Sequence, residues 1–174
     1  MQVSIRIAPK AKQLTITLTE VNWSALQQAD FYAGEQQMQH LVTQIGRELT
    51  AQLLRAKVTA PPTLIRAGQT CYRKASSPGH YLTLYGPITV ARPTYQTRAG
   101  GAVICPLEEA CQLSFGTATP LLAEILSFKT AALTPREVAA DLAKSHALTL
   151  SPSFIQQTAR RVGQLAVAKA EAWQ

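Results

Sequence analysis

Leu133-Thr-Pro-Arg-Glu-Val-Ala-Ala-Asp-Leu142, followed after a gap by Ser151-Pro-Ser-Phe-Ile-Gln-Gln-Thr-Ala-Arg-Arg-Val162, carries the signals that decide the fold. Thr134 can cap free backbone donors, Glu137 three residues later can answer it, and Pro135 suits the first helical position. A helix is therefore predicted from there to about Ser145. Ser151-Pro152 repeats the start, and a last helix should run toward Ala172 with Ile155, Thr158, Ala159, Val162, Leu165 and Ala166 as its apolar stripe. The opposite face offers Ser153, Gln156, Gln157, Arg160 and Arg161. In a helix-turn-helix the second helix enters the major groove, where glutamine pairs with adenine and arginine with guanine or phosphate. Thr134 and Ser151 would add phosphate contacts at helix N-termini. The bland alternative is a helical hairpin with a solvated face. The connection Ser145–Leu150 favours it, being longer than the usual three or four residues.

Outward from this pair, Thr119-Pro120 precedes a further helix with Leu121, Leu122, Ile125, Leu126 and Phe128. Before it the period changes to two. Tyr81–Tyr85 and Ile88–Val90 read as strands turning at Gly86-Pro87, Tyr95 continues past Pro93, and Gly100-Gly101 turns into Ala102–Ile104. A long helix is predicted from about Tyr32 to Lys57, with Met38, Leu41, Val42, Ile45, Leu49 and Leu53 on one face and Pro61-Pro62 ending it. Val3, Ile5 and Ile7, then Leu14, Ile16 and Leu18, alternate as two strands across Ala8-Pro9-Lys10-Ala11-Lys12. The expected fold class is α+β in three segments. Residues 1–60 form a strand pair and long helix, 61–118 a basic antiparallel β-ribbon, and 119–174 a helix-turn-helix unit.

The 174 residues carry a net charge of +7, which favours a polyanionic partner. Arg66, Arg73, Lys74, Arg92 and Arg98 lie between Pro61 and Gly101, where there is no Asp or Glu. Tyr72, His80, Tyr81, Tyr85 and Tyr95 are interleaved with them. A cationic ribbon can follow phosphates, and aromatic rings can stack on unpaired bases. Ordinary strand tyrosines beside solvating cations would give the same pattern. Met1–Pro9 lacks the regions of a signal peptide. No apolar run approaches the ~18 residues of a membrane span, so no membrane partner is expected. Three cysteines, Cys71, Cys105 and Cys111, do not make a disulfide framework. With His80 they are zinc-type residues, but no close pair exists to preorganise a site; buried or half-buried thiols are the simpler reading. His40, His80 and His146 sit on unlike elements. The only aspartates are Asp30 and Asp141, and adjacent Glu108 and Glu109 should point in different directions. A two-metal site needs several gathered carboxylates. The expectation is no catalysis, no metal and no cofactor.

Leu84-Tyr-Gly-Pro-Ile-Thr-Val-Ala-Arg-Pro-Thr-Tyr95, then Pro106-Leu-Glu-Glu-Ala110, then Leu133–Leu142 and Ser151–Gly163, resemble in their order the N-terminal region of Kra-type insertion-sequence transposases. That family places a strand pair ending in a tyrosine before a zinc knuckle, a "P-L-D/E-E-A-L" segment and a helix-turn-helix. The resemblance spans about residues 81–163. It implies a ribbon and a recognition helix for the element's terminal repeats, the latter carried here by Ser153, Gln156, Gln157, Arg160 and Arg161. The family's knuckle cysteines stand here as Thr97 and Gly100, and the partner pair near Cys71 is reduced to one cysteine. The ribbon is therefore expected to be a degenerate, zinc-free one. The family's RNase H-like catalytic domain, with its Asp-Asp-Glu metal site, would begin beyond Gln174.

The leading expectation is a non-catalytic, double-stranded-DNA-binding piece of such a transposase, cytoplasmic and nucleoid-associated. Its contacts would come from Ser153, Gln156, Gln157, Arg160 and Arg161, with Arg73, Lys74, Arg92 and Arg98 on the ribbon. Two alternatives stay open. One is a domesticated transcription regulator using the same helices. The other is a protein-interaction module without DNA binding, in which the Met38–Leu53 face is a homodimer surface.

Overall fold

The computed structural model describes residues 2–8, 13–19, 23–113 and 117–171. It is a mixed helix-and-sheet fold whose sheets are antiparallel, in the α+β class. Strands β1 (Gln2–Ala8) and β2 (Gln13–Thr19) pair as a hairpin. Its connection, Pro9-Lys10-Ala11-Lys12, lies outside the described residues, as does Ala172. A short helix α1 (Trp23–Gln28), which the apolar period does not reveal, precedes the long α2 (Phe31–Ala56). Asp30 caps α2 by accepting from the Ala33 amide at 2.9 Å.

The segment expected to form one ribbon divides into two sheets. Strands β3 (Thr63–Arg66), β4 (Gln69–Arg73), β7 (Tyr95–Thr97) and β8 (Gly100–Ile104) form a four-stranded sheet in the order β3-β4-β7-β8. Strands β5 (Ser77–Thr83) and β6 (Gly86–Arg92) make a separate hairpin. Tyr95 thus does not prolong β6; it crosses to β4, opposite Arg73. The hairpin turn also differs from the sequence expectation. It falls at Leu84-Tyr85, and Pro87 lies inside β6 opposite Leu82. Thr83 makes this turn: its Oγ1 donates to the Gly86 carbonyl at 2.8 Å and accepts from the Tyr85 amide at 3.0 Å. Gly86 supplies the left-handed φ of 107° that closes it.

Helices α3 (Pro106–Ala110), α4 (Pro120–Thr130), α5 (Pro135–His146) and α6 (Pro152–Glu171) complete the chain. The last three pack on one another, α4 and α5 both against α6. Their core is Leu122, Leu126, Val138, Leu142, Leu148, Leu150 and Ile155, with Leu82 and Leu84 of the hairpin laid against it. A second core joins Ala51 and Leu54 of α2 to Tyr81, Ile88, Val90, Cys105, Leu107 and Leu113. Successive strand residues point to opposite faces, so β5 feeds one core through Tyr81 and the other through Leu82. The three sequence segments therefore interlock. Ala118, at the proposed edge of the middle one, is fully buried in the helical core, and its neighbours bond to β5: Leu82 N donates to Thr117 O at 2.7 Å, and Thr119 N to Leu82 O at 2.9 Å. Tyr85 packs so closely on α2 that a Cβ at Gly46 would lie 2.5 Å from its ring. Gly46 is thus one of the places where helix and hairpin touch.

Candidate nucleic-acid interface

Helix α5 begins as its sequence dictates. Thr134 and Glu137 form a complete capping box, with Glu137 Oε2 2.7 Å from the Thr134 amide. These hydrogen bonds from the Thr134 backbone and side chain hold the Glu137 carboxyl below its usual range. Ala147 ends the helix in the left-handed conformation, φ 51°, and its amide returns to Leu142 O. The connection to α6 is long because it contributes to the core: Leu148 and Leu150 are both buried. Ser151 then accepts from the Phe154 amide at 3.2 Å and opens α6.

Ile155 and Thr158 fix the orientation of α6 by their burial. Ser153, Gln156, Gln157, Arg160 and Arg161 are all exposed on its outer side. Helical spacing of 100° per residue brings Ser153, Gln157 and Arg160 into one row, flanked by Gln156 and Arg161. Gln164 extends that row by a turn and is exposed as well. Gln164 lies one turn past the early residues of the helix, where base contacts are expected, yet the same 100° spacing in the sequence places it in the row. The helix carries Arg160, Arg161 and Lys169 against the single acid Glu171. Arg136, in the first turn of α5, is another exposed cation of this unit.

The ribbon cations fare differently from one another. Arg73 is exposed and donates to the Ala60 carbonyl at 3.3 Å, Lys74 is exposed, and Arg98 lies over the Tyr72 ring with Cζ 4.5 Å from its centroid. Arg66 pairs with Glu109 at 2.9 Å. Arg92 is not displayed with the free cations. Its guanidinium is paired with Glu108, and its side chain is only 23% exposed. Residues 92 and 108 are on different elements, and their meeting is set by how α3 docks beside β6. The two glutamates do diverge, Glu108 toward Arg92 and Glu109 toward Arg66.

Tyr81 completes the Arg92–Glu108 cluster by donating its phenol to Glu108 Oε1 at 3.2 Å. Burial, reinforced by the Glu108 charge, pushes this phenol far above its ordinary range. Burial works against the charge of Arg92, but Tyr81, Cys105 and Glu108 reverse that and hold its pKa above the usual value. The folded Tyr81 keeps its proton where the unfolded one begins to lose it, at about pH 10. Its contribution to stability is therefore complete below that pH and is lost as pH rises further. Thermal melting at stepped alkaline pH checks this. The wild-type midpoint should fall more steeply above about pH 10 than that of Tyr81→Phe, which at neutral pH is less stable by about 2 kcal/mol for want of the hydrogen bond.

Cys71 and Cys105 are buried and Cys111 half-buried, all as free thiols. His80 shares a 3.0 Å hydrogen bond with Thr89, and His146 one of 2.7 Å with Ser145. Among the described residues no group of three or more His, Cys, Asp or Glu is gathered to hold a metal ion. No described helix is long and apolar enough to cross a membrane. Along α2, Leu41 and Leu54 are buried while Met38, Val42 and Leu53 are exposed, so the apolar stripe is divided between core and surface. Comparison with known proteins yields no relative: no family model matches the chain, and no curated protein or solved structure is significantly similar to it.

Proposed function

We propose that the chain binds double-stranded DNA through α6, as the DNA-recognition part of a transposase of the insertion-sequence kind. The observation that carries this reading is the outer row of α6. Ser153, Gln157, Arg160 and Gln164 are aligned and exposed, no carboxylate stands on the helix before Glu171, and a core of three helices supports them. The described 20 residues of α6 span about 30 Å, and an α-helix fits the B-DNA major groove, about 12 Å wide. Amide and guanidinium groups in one row suit adjacent base edges, and Arg161 and Arg136 suit the flanking phosphates. A domesticated regulator would use the same surface on an operator.

The test is selection from a random-sequence duplex pool, followed by titration of the winner and a shuffled control across salt concentrations. An affinity that falls steeply with salt, with a preference for the winner that survives near-physiological salt, supports the reading. No binding at low salt refutes it. The interaction-module reading, favoured by the exposure of Phe31 (82%), Val42 (60%) and Leu53 (62%) on α2, would then be the one left.

A further inference from the structure

The four-stranded sheet has two unlike faces. Cross-strand partners share a face, and the register places Leu64, Cys71, Tyr95 and Ile104 together on the inner one. There Cys71 and Tyr95 are buried, and Glu109 of α3 reaches across to Arg66. The outer face carries Ile65, Tyr72, Gln96 and Val103 by the same alternation, with Lys74 one step beyond β4 and Arg98 at the β7–β8 turn. No described helix or strand covers it: Ile65 is 80% and Val103 60% exposed.

We propose that this outer face, centred on the Tyr72–Arg98 stack, binds single-stranded DNA by stacking unpaired bases while its cations meet the phosphates. Two observations select that occupant. The first is charge: residues 61–107 contain no Asp or Glu, and Lys74 and Arg98 make no ion pair among the described residues. The face therefore suits a polyanion. The second is the company these cations keep. A duplex buries its base faces and presents phosphates and groove edges, which offer an isoleucine or valine little beyond a thymine methyl. An unpaired strand offers flat apolar bases and phosphates at alternating positions, the mixture that Ile65, Tyr72 and Val103 interleaved with Lys74 and Arg98 would bind. Arg98 is held over the Tyr72 ring, so its guanidinium is already oriented, one side on the tyrosine and the other open to a base. Gln96 in the centre of the face donates to Gly101 O at 2.7 Å, which braces the β7–β8 turn carrying Arg98. The inference stands apart from duplex reading by α6, on a different surface and for a different form of DNA.

Fluorescence anisotropy of the full chain with labelled oligothymidylate of about 15 nucleotides tests it, site sizes on such surfaces being of that order. An abasic oligonucleotide of equal length supplies the same charge without bases. Oligothymidylate should bind at least about tenfold more tightly than the abasic strand, and Arg98→Ala or Tyr72→Ala should each weaken it about tenfold. The exposed pair Ile65→Ser with Val103→Ser, which leaves the inner face untouched, should weaken it too, so the test survives if Tyr72→Ala fails to fold. Gln157→Ala with Arg160→Ala should leave single-strand binding unchanged. Equal affinity for the abasic strand would reduce the face to a charge effect and overturn the proposal. So would wild-type affinity in the Ile65/Val103 variant, or loss of binding in the Gln157/Arg160 variant alone.

Discussion

Replacing Gln157 and Arg160 together by alanine should cost on the order of a hundredfold in preference for the selected duplex, while the melting temperature stays close to that of the wild type. Both side chains are exposed and neither joins a core cluster, so their loss would remove the proposed DNA contacts without opening a cavity. Alanine also favours the helix slightly over glutamine or arginine. The double variant should retain weak, strongly salt-dependent binding through Arg161, Arg136 and other cations, because phosphate contacts carry no sequence information. Parallel titrations of selected and shuffled duplex measure this. If both affinities fell by the same factor, the two residues would be phosphate contacts and base readout would lie elsewhere. If neither moved, α6 would not be the reading helix.

Leu142→Ala should have the largest effect on the fold. Leu142 is fully buried in the three-helix core, in one cluster with Val138, Leu148 and the α6 residue Ile155. Truncating such a leucine removes its transfer free energy and leaves a void, at a cost of about 2–5 kcal/mol. In a chain of 174 residues that lowers the melting midpoint by roughly 10 °C. Calorimetry would show it. A change under about 1 kcal/mol would mean that the three helices pack more loosely than their burial implies.

What the sequence made legible follows from how far apart the interacting residues lie. The Thr134–Glu137 capping box is a contact across three positions, and α2 and α6 are set by apolar steps within one helix; each could be read directly. The class of the fold, helix and antiparallel strand together, follows from where the period switches. The division of the middle segment into two sheets does not. Tyr95 pairs with Arg73 from 22 positions away, and no local preference distinguishes that partner from a continuation of β6. Gly86-Pro87 is a strong breaker pair, yet the Thr83 hydroxyl drew the turn two residues earlier. Phe128 and Leu121 fit the apolar rhythm of α4 but stand 80% and 53% exposed, since periodicity ranks faces without saying how far the neighbouring helix extends. The same limit applies to the candidate interface. The α6 row was visible because it lies on one helix, whereas the pairing of Arg92 with Glu108 depends on docking between elements.

Strand β5 gives the molecule a seam with no slack. Tyr81 is committed to one core and Leu82 to the other, so a one-residue slip of β5 against β6 would turn both side chains the wrong way at once. Neither half could keep its register at the expense of the other. Two cores joined like this cannot be separated at β5 into independently folding parts, and they should unfold together. The surfaces of the two cores are therefore held at fixed separations, like marks on a ruler, and no linker among the described residues lets one swing toward the other.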